Sequence, residues 1–155
     1  MEKLLTPRLV IEPMTEPELL ALIESCRVSD PELSEAYTDM LSGCRAHPEQ
    51  RLWYTAWRIA LPDGTMAGDL CFKGLPESGR PEIGYGIIAE FQGRGYATEA
   101  VGAACKWALA HPGVTAVEAE TAPGNAASRR VLKKLGFVPT GVMGEEGPRF
   151  ELLPT

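Results

Sequence analysis

Apolar positions along the chain change period several times, and those changes outline the elements. Arg8-Leu9-Val10-Ile11 predicts a short strand closed by Pro13. Thr15 then caps a helix, with Glu16 in the first turn, Pro17 after it and Glu18 at the capping-box position, and Leu19, Leu20, Leu22 and Ile23 supply its core face. Asp30-Pro31-Glu32 opens a second helix, with Leu33, Ala36, Tyr37 and Leu41 at helical spacing and an end near Gly43. The aromatic and apolar run from Leu52 to Leu61 meets a hairpin turn, Pro62-Asp63-Gly64-Thr65, and Met66 to Lys73 is the returning strand. Glu82 to Ala89 predicts a further strand, running into Phe91-Gln92-Gly93-Arg94-Gly95-Tyr96 and then a helix with Ala97, Val101, Ala104 and Ala108 on its inner face. Pro112-Gly113 ends that helix, and Val114 to Thr121 is the next strand. A helix beginning near Asn125 buries Ala127, Val131 and Leu135 and stops at Gly136. Phe137 to Val142 and Arg149 to Leu153 close the chain around Gly144-Glu145-Glu146-Gly147. The order β-α-α-β-β-β-α-β-α-β-β is that of an α/β (α+β) protein, a mixed sheet with helices on its faces.

Composition narrows the classes. A chain of 155 residues, 45% hydrophobic and 23% charged, has the length and balance of one domain covering residues 1–155. Its formal charge of −6 lacks the positive footprint that phosphate tracking requires, so nucleic acid is not an expected partner. No apolar run approaches the ~20 residues of a membrane span, and Met1-Glu2-Lys3-Leu4-Leu5 has no signal-peptide core, so a cytoplasmic location is expected. Cys26, Cys44, Cys71 and Cys105 are widely spaced, and His47 and His111 stand apart, so no metal site is expected and the cysteines read as buried thiols.

The chemistry concentrates between Glu82 and Ala110. Gly93 and Gly95 let the backbone turn tightly and approach a ligand without a Cβ in the way. The following helix start presents N–H groups with no internal partner, favourable for an anion, and Arg94 and Thr98 can add side-chain bonds to phosphate. An ordinary strand-to-helix turn is the plain structural alternative. Neither the dinucleotide fingerprint nor a Gly-Lys-Ser/Thr phosphate loop fits, because position 98 is Thr98 and no such lysine follows.

Gln92-Gly93-Arg94-Gly95-Tyr96-Ala97 resembles the Gln/Arg-x-x-Gly-x-Gly/Ala acyl-CoA signature of the GNAT N-acetyltransferases. Asn125-Ala126-Ala127-Ser128 with Leu135-Gly136-Phe137 is similar to that family's second motif. Thr6-Pro7-Arg8-Leu9 and Glu82-Ile83-Gly84-Tyr85 are similar to the branch that acetylates ribosomal-protein N-termini. The likeness runs from about Arg8 to Leu153. It implies a mostly antiparallel central sheet of about seven strands, splayed open at a cofactor cleft. Gly84 and Gly86 are compatible with a bulge that causes the splay, or simply weaken the strand.

The same resemblance implies acetyl-CoA as cofactor, with no metal, and a primary amine as acceptor, either a peptide N-terminus or a small molecule. Its pyrophosphate would sit on Gly93 to Thr98, and its pantetheine arm would pair with the backbone of Ile87, Ile88 and Ala89, with an N–H of Ile87 or Ile88 as oxyanion donor. The cofactor-binding set is thus Ile87, Ile88, Ala89, Gln92, Gly93, Arg94, Gly95, Tyr96, Ala97, Thr98 and Asn125, with Arg129 and Lys133 toward the adenosine phosphate. Asn125 is equally a helix N-cap, and the basic residues equally a solvated face. Glu82 is the candidate general base, against a solvated strand-end carboxylate, with Glu145, Glu146 or a water as alternatives. Many family members place a tyrosine where this chain has Leu132; the ribosomal-protein branch carries a serine matched by Ser128, a candidate proton donor to the departing thiolate. Trp53, Trp57, Trp107 and Tyr85 read as core. A nucleophilic Cys71 or Cys105 lacks a neighbouring histidine in sequence. The rival readings are a non-catalytic acyl-CoA-binding regulatory module and a transferase using another acyl-CoA; a monomer or homodimer is expected.

Overall fold

Side-chain caps close three of the four α-helix starts, and they mark the helix boundaries that the sequence predicts. In the computed structural model, which describes residues 2–155, helix α1 (Glu16–Cys26) begins with a complete capping box: Thr15 Oγ1 accepts from Glu18 N–H at 3.4 Å and Glu18 accepts from Thr15 N–H at 3.0 Å. Helix α2 (Pro31–Ala46) is capped by Asp30. It runs through Gly43 to Ala46, because that glycine serves close packing rather than termination: a Cβ there would lie 2.6 Å from the Tyr54 ring. Leu20 and Leu33, expected in the core, are 45% and 39% exposed, the covered faces of these helices being those of Leu19 and of Tyr37 and Leu41.

Among the described residues, eight strands form two sheets. The larger has the order β1-β2-β3-β4-β5, built from Leu4–Leu5, Val10–Pro13, Ala56–Ala60, Met66–Phe72 and Ile83–Ile87, all neighbours antiparallel. The smaller has the order β6-β8-β7, from Val117–Glu120, Pro148–Leu152 and Val138–Met143. The two-residue β1 is an addition to the predicted order, and Pro48–Trp53 forms a 3-10 turn ahead of β3. One parallel bridge, Glu82 to Glu118, joins the sheets, so β5 and β6 touch at one end and diverge toward the other. The β4–β5 register is unbroken, so no bulge at Gly84 or Gly86 produces the divergence.

Helix α3 (Tyr96–Leu109) covers one face of the larger sheet, packing Ala100, Val101, Ala104 and Ala108 against Trp57, Leu70, Phe72 and Ile83. Trp53, Trp57 and Trp107 belong to this core, as expected. Helices α1 and α2 cover the other face through Leu19, Tyr37, Leu41 and Cys44 over Ala56. Helix α4 (Ala126–Lys134) buries Leu132, and of the predicted stripe Leu135, just past its end, packs half-buried against the core. Ala127 and Val131 instead border the opening between the sheets. The four cysteines are free thiols, Cys44 and Cys105 buried and Cys26 and Cys71 half-buried.

Candidate active site

Where β5 and β6 part, the backbone of β5 loses its neighbour on one side. Lys73 N–H donates to Glu82 C=O at 2.9 Å and Ile88 N–H to Ala67 C=O at 2.8 Å, so the even-numbered residues turn their backbone groups to β4. The odd-numbered Tyr85 and Ile87 therefore turn theirs to the open side. Ile87 C=O accepts from the Gln92 side chain at 2.9 Å. Ile88 is spent twice, its N–H on Ala67 and its C=O on Phe91 N–H at 2.8 Å, so of the two expected oxyanion donors only Ile87 faces the opening. Ala89 starts a 3-10 turn, its C=O accepting from Gln92 N–H at 3.3 Å.

The opening is a cleft of about 520 Å³. One wall is the loop before α3 and its first turn, where Gln92, Gly93, Gly95, Tyr96, Ala97 and Thr98 all line the space. Gly93 and Gly95 have φ of +78° and +84°, a left-handed conformation that side chains disfavour, and no side chain caps α3. Its first N–H groups are thus offered to the cleft. Arg94 is the exception in this stretch: its guanidinium lies 5.8 Å from the Phe91 ring centroid and does not line the cleft. Behind the loop, Arg8 donates to Arg94 C=O at 2.9 Å and to Glu99 Oε1 at 2.7 Å, and its guanidinium sits 4.6 Å over the Tyr96 ring. Thr6 hydroxyl and Arg8 N–H also donate to Glu99. Burial works to raise the Glu99 carboxyl, but these donors outweigh it and hold it below the usual carboxylate range.

The second wall comes from α4. Asn125 Oδ1 accepts from Ser128 N–H at 3.0 Å, so the residue caps the helix and has its amide nitrogen left for a ligand. Arg130 and Lys134 line the cleft, rather than Arg129 and Lys133, because the helix turns Ala127, Arg130, Val131 and Lys134 to one side. Ser128 Oγ lies 2.8 Å from the Tyr85 hydroxyl, which crosses from β5. Tyr85 packs against the core, as read from sequence, and also lines the cleft; its strand parity with Ile87 is the signal that identifies the second role. Burial raises its phenol, with the Ser128 bond acting against the shift. Leu132 is buried.

Glu82 is not at the mouth of the cleft. It sits at the joined end of the sheets, with Oε2 2.7 Å from Lys73 and Oε1 3.1 Å from Arg149, which also binds Glu118 and Glu120. Glu145 and Glu146 are exposed in the β7–β8 turn, where Glu146 N–H donates to Glu120 at 2.6 Å. Burial pushes the Cys71 and Cys105 thiols up to about 11 and about 12, which keeps both protonated near neutrality.

Residues 8–138 match the family described as Acetyltransferase (GNAT) domain. The chain belongs to the GNAT acetyltransferase family. It is an acyltransferase with the mixed α/β fold of that family, as the sequence motifs imply. Among solved structures it is similar to RimL, a ribosomal alpha-N-protein acetyltransferase in complex with coenzyme A, at 18% identity and TM-score 0.77 over 98% of each chain. It is similar to an acetyltransferase from Agrobacterium tumefaciens, at 20% identity and TM-score 0.76 over 99% of this chain and 95% of that one. Spermidine N-acetyltransferase from Vibrio cholerae, in complex with CoA and spermine, is similar at 15% identity and TM-score 0.75 over 96% of each chain. No curated protein matches the sequence.

Proposed function

We propose that this GNAT domain transfers the acetyl group of acetyl-CoA to a primary amine, by direct attack while both are bound. The observation that carries the reading is a cleft with an uncapped helix start on one wall and a Tyr85–Ser128 hydroxyl pair on the other. These residues fit acetyl-CoA. The N–H groups from Gly93 to Thr98 suit a pyrophosphate, the unpaired edge of β5 suits the amides of the pantetheine arm, and Arg130 and Lys134 suit the remaining phosphate. When bound, acetyl-CoA supplies an activated acetyl thioester and a thiol leaving group.

Ile87 N–H, on the open side of β5, would hold the acyl oxygen of a bound thioester and stabilise the negative charge that develops there, a role worth several kcal/mol in comparable sites. The Tyr85–Ser128 pair would supply a proton to the sulfur, the hydroxyl function that Leu132 lacks. A thiol of pKa ~8.5 is protonated downhill by about 2 kcal/mol at pH 7, so this pair adds rate without being indispensable. Neutralising a lysine-like amine of pKa ~10.4 at pH 7 costs roughly 4.6 kcal/mol, against about 1 for an α-amine near 7.8, which favours peptide N-termini or amino-acid-like acceptors. The named neighbours, a ribosomal alpha-N-protein acetyltransferase and a spermidine N-acetyltransferase, bracket that range of amines.

The test is a calorimetric titration with acetyl-CoA beside thiol release across peptides, amino acids and polyamines. Saturable binding with turnover of one amine class is expected. Absence of binding overturns the reading. Binding without turnover on any amine replaces it with an acyl-CoA-binding module.

A further inference from the structure

The two faces of β5 differ. By strand parity the side-chain positions of Tyr85 and Ile87 point into the cleft and those of Glu82, Gly84 and Gly86 to the opposite face, while the bare backbone of Gly86 also lines the cleft and so borders both sides. On that opposite face a side chain at Gly86 would meet nothing within 4 Å, and one at Gly84 only Lys73 Cε at 3.6 Å and Cys71 Sγ at 3.8 Å. The two glycines therefore floor an open trough directly behind the backbone of Ile87. Strand β4 forms its wall, because Asp69 is the register partner of Gly86 and Cys71 that of Gly84.

Asp69 is the acidic group of this wall, and among the described residues no cation pairs with it. Tyr37 from α2 donates its hydroxyl to Asp69 Oδ2. Arg58, its neighbour on β3, turns instead to Glu18 of α1 at 2.7 Å. The other titratable groups on this side are Cys26 at the end of α1, Cys71 beside it, and Lys73, which is held by Glu82. Burial pushes the Asp69 carboxyl above its ordinary range, and the Tyr37 hydroxyl draws it partly back. A carboxylate so placed is a stronger proton acceptor than a solvated one.

Register decides between Asp69 and Glu82. Asp69 faces Gly86 across a hydrogen-bonded pair, about 5.5 Å between Cα atoms, one residue from Ile87 N–H. Glu82 precedes Ile87 by five positions, about 16 Å along a strand rising ~3.3 Å per residue. Both of its oxygens are also occupied, by Lys73 and Arg149.

We propose that Asp69, held by Tyr37, receives the acceptor's ammonium group in the Gly84–Gly86 trough and takes its proton, so that Asp69 and not Glu82 is the catalytic base. The inference rests on the acetyl-transfer reading above. One ammonium proton passes to the Asp69 carboxylate and from there to solvent. The freed nitrogen lone pair forms the C–N bond to the acyl carbon as the C–S bond breaks. The departing sulfur takes a proton from the Tyr85–Ser128 pair, which is replenished by the second proton that nitrogen loses. The amide keeps one hydrogen, and the products are an N-acetyl amine, a thiol and one proton.

The experiment compares the native chain, D69N, E82Q and Y37F with a serine-starting hexapeptide, spermidine and glycinamide. D69N is expected to lower kcat/KM by about 100-fold or more, the range of a lost general base, while the acetyl-CoA Kd changes less than about twofold. Its residual rate should rise about tenfold per pH unit toward the pKa of the amine, and E82Q should cost much less than D69N. The Asp69 carboxyl carbon, followed by NMR in the protein without acyl donor, should shift when the hexapeptide is added, and its titration midpoint should move upward in Y37F. These spectra decide the matter even if D69N does not fold. D69N within threefold of native on every amine, or an Asp69 signal indifferent to the hexapeptide, overturns the inference while leaving acetyl transfer intact. A native chain that binds no acetyl-CoA overturns both.

Discussion

Helices α3 and α4 begin on opposite walls of one cleft, and they begin differently. Gly95 leads into α3 with φ of +84° and no side-chain cap, whereas Asn125 closes α4 by accepting Ser128 N–H at 3.0 Å. A bare first turn leaves N–H groups for an anion; a capped one spends part of that capacity and hands ligand contacts to side chains. On the proposed function the α3 wall would bind through backbone and be broken by bulk or lost φ freedom. The α4 wall would bind through Ser128, Arg130 and Lys134, which line the cleft, and could be dismantled one side chain at a time.

That contrast orders the expected effects. Gly95→Glu puts a side chain into a left-handed conformation, 3.3 Å from Arg8 at its Cβ, and brings a negative charge to the turn proposed to hold the pyrophosphate. Acetyl-CoA affinity should fall by more than about 100-fold in a titration, with circular dichroism unchanged, since strain and like charge act together. Unaltered affinity in the folded variant would remove the anion site from this wall.

Tyr85→Phe with Ser128→Ala should lower kcat by about 10- to 100-fold, the scale of a lost proton donor, with little change in the KM for acetyl-CoA. The double variant should fall well short of the product of the single effects, because one hydrogen-bonded pair is being removed. Full additivity in stopped-flow thiol release would mean that the hydroxyls act separately.

Arg130→Ala with Lys134→Ala should raise the acetyl-CoA KM by about tenfold, and less so at high salt, whereas Arg129→Ala with Lys133→Ala should stay within about twofold. The reverse ranking would assign the phosphate to the other side of α4. Asn125→Ala removes a cap and should cost about 1 kcal/mol in urea unfolding, a stability effect that no variant of Gly95 can mimic by cap loss.

The smallest effect concerns the brace behind α3. The Glu99 carboxyl is held below the usual carboxylate range, so its contribution is fully present above that range and disappears as pH falls through the lowered value. Glu99→Gln should thus be less stable than native by about 0.5–1 kcal/mol at pH 7, discounted for the exposed Arg8, and the gap should close as acid protonates the carboxyl. A gap that persists at the acid end of the titration would make the brace steric rather than ionic.

Much of this architecture is legible in one dimension. The Thr15–Glu18 box, the Pro62–Thr65 turn and the Gly93–Tyr96 bend all depend on neighbours a few residues away, and each lies where the pattern puts it. Readings that needed a distant partner fared differently. Gly43 signals a helix end, yet Tyr54 packs on it and the helix continues. Ala127 and Val131 have the spacing of a core stripe, yet they border a cleft, because the sheets part where α4 lies and it is Leu132 and Leu135 that meet the core. Arg129 and Lys133 differ from Arg130 and Lys134 by one step of helix rotation, which no local signal specifies.

The sequence by itself determined the family, the glycine turn before α3 and the residues that line its wall, because φ freedom and missing side chains are properties of single positions. Tertiary structure alone decided that Tyr85 meets Ser128, that Ile87 and not Ile88 faces the opening, and that Glu82 is bound by Lys73 and Arg149 while Asp69, bonded to Tyr37, meets no cation among the described residues and lies beside Gly86. Strand register and the divergence of two sheets set those relations. Both arise from pairing between segments far apart in the chain, where local propensity carries no information.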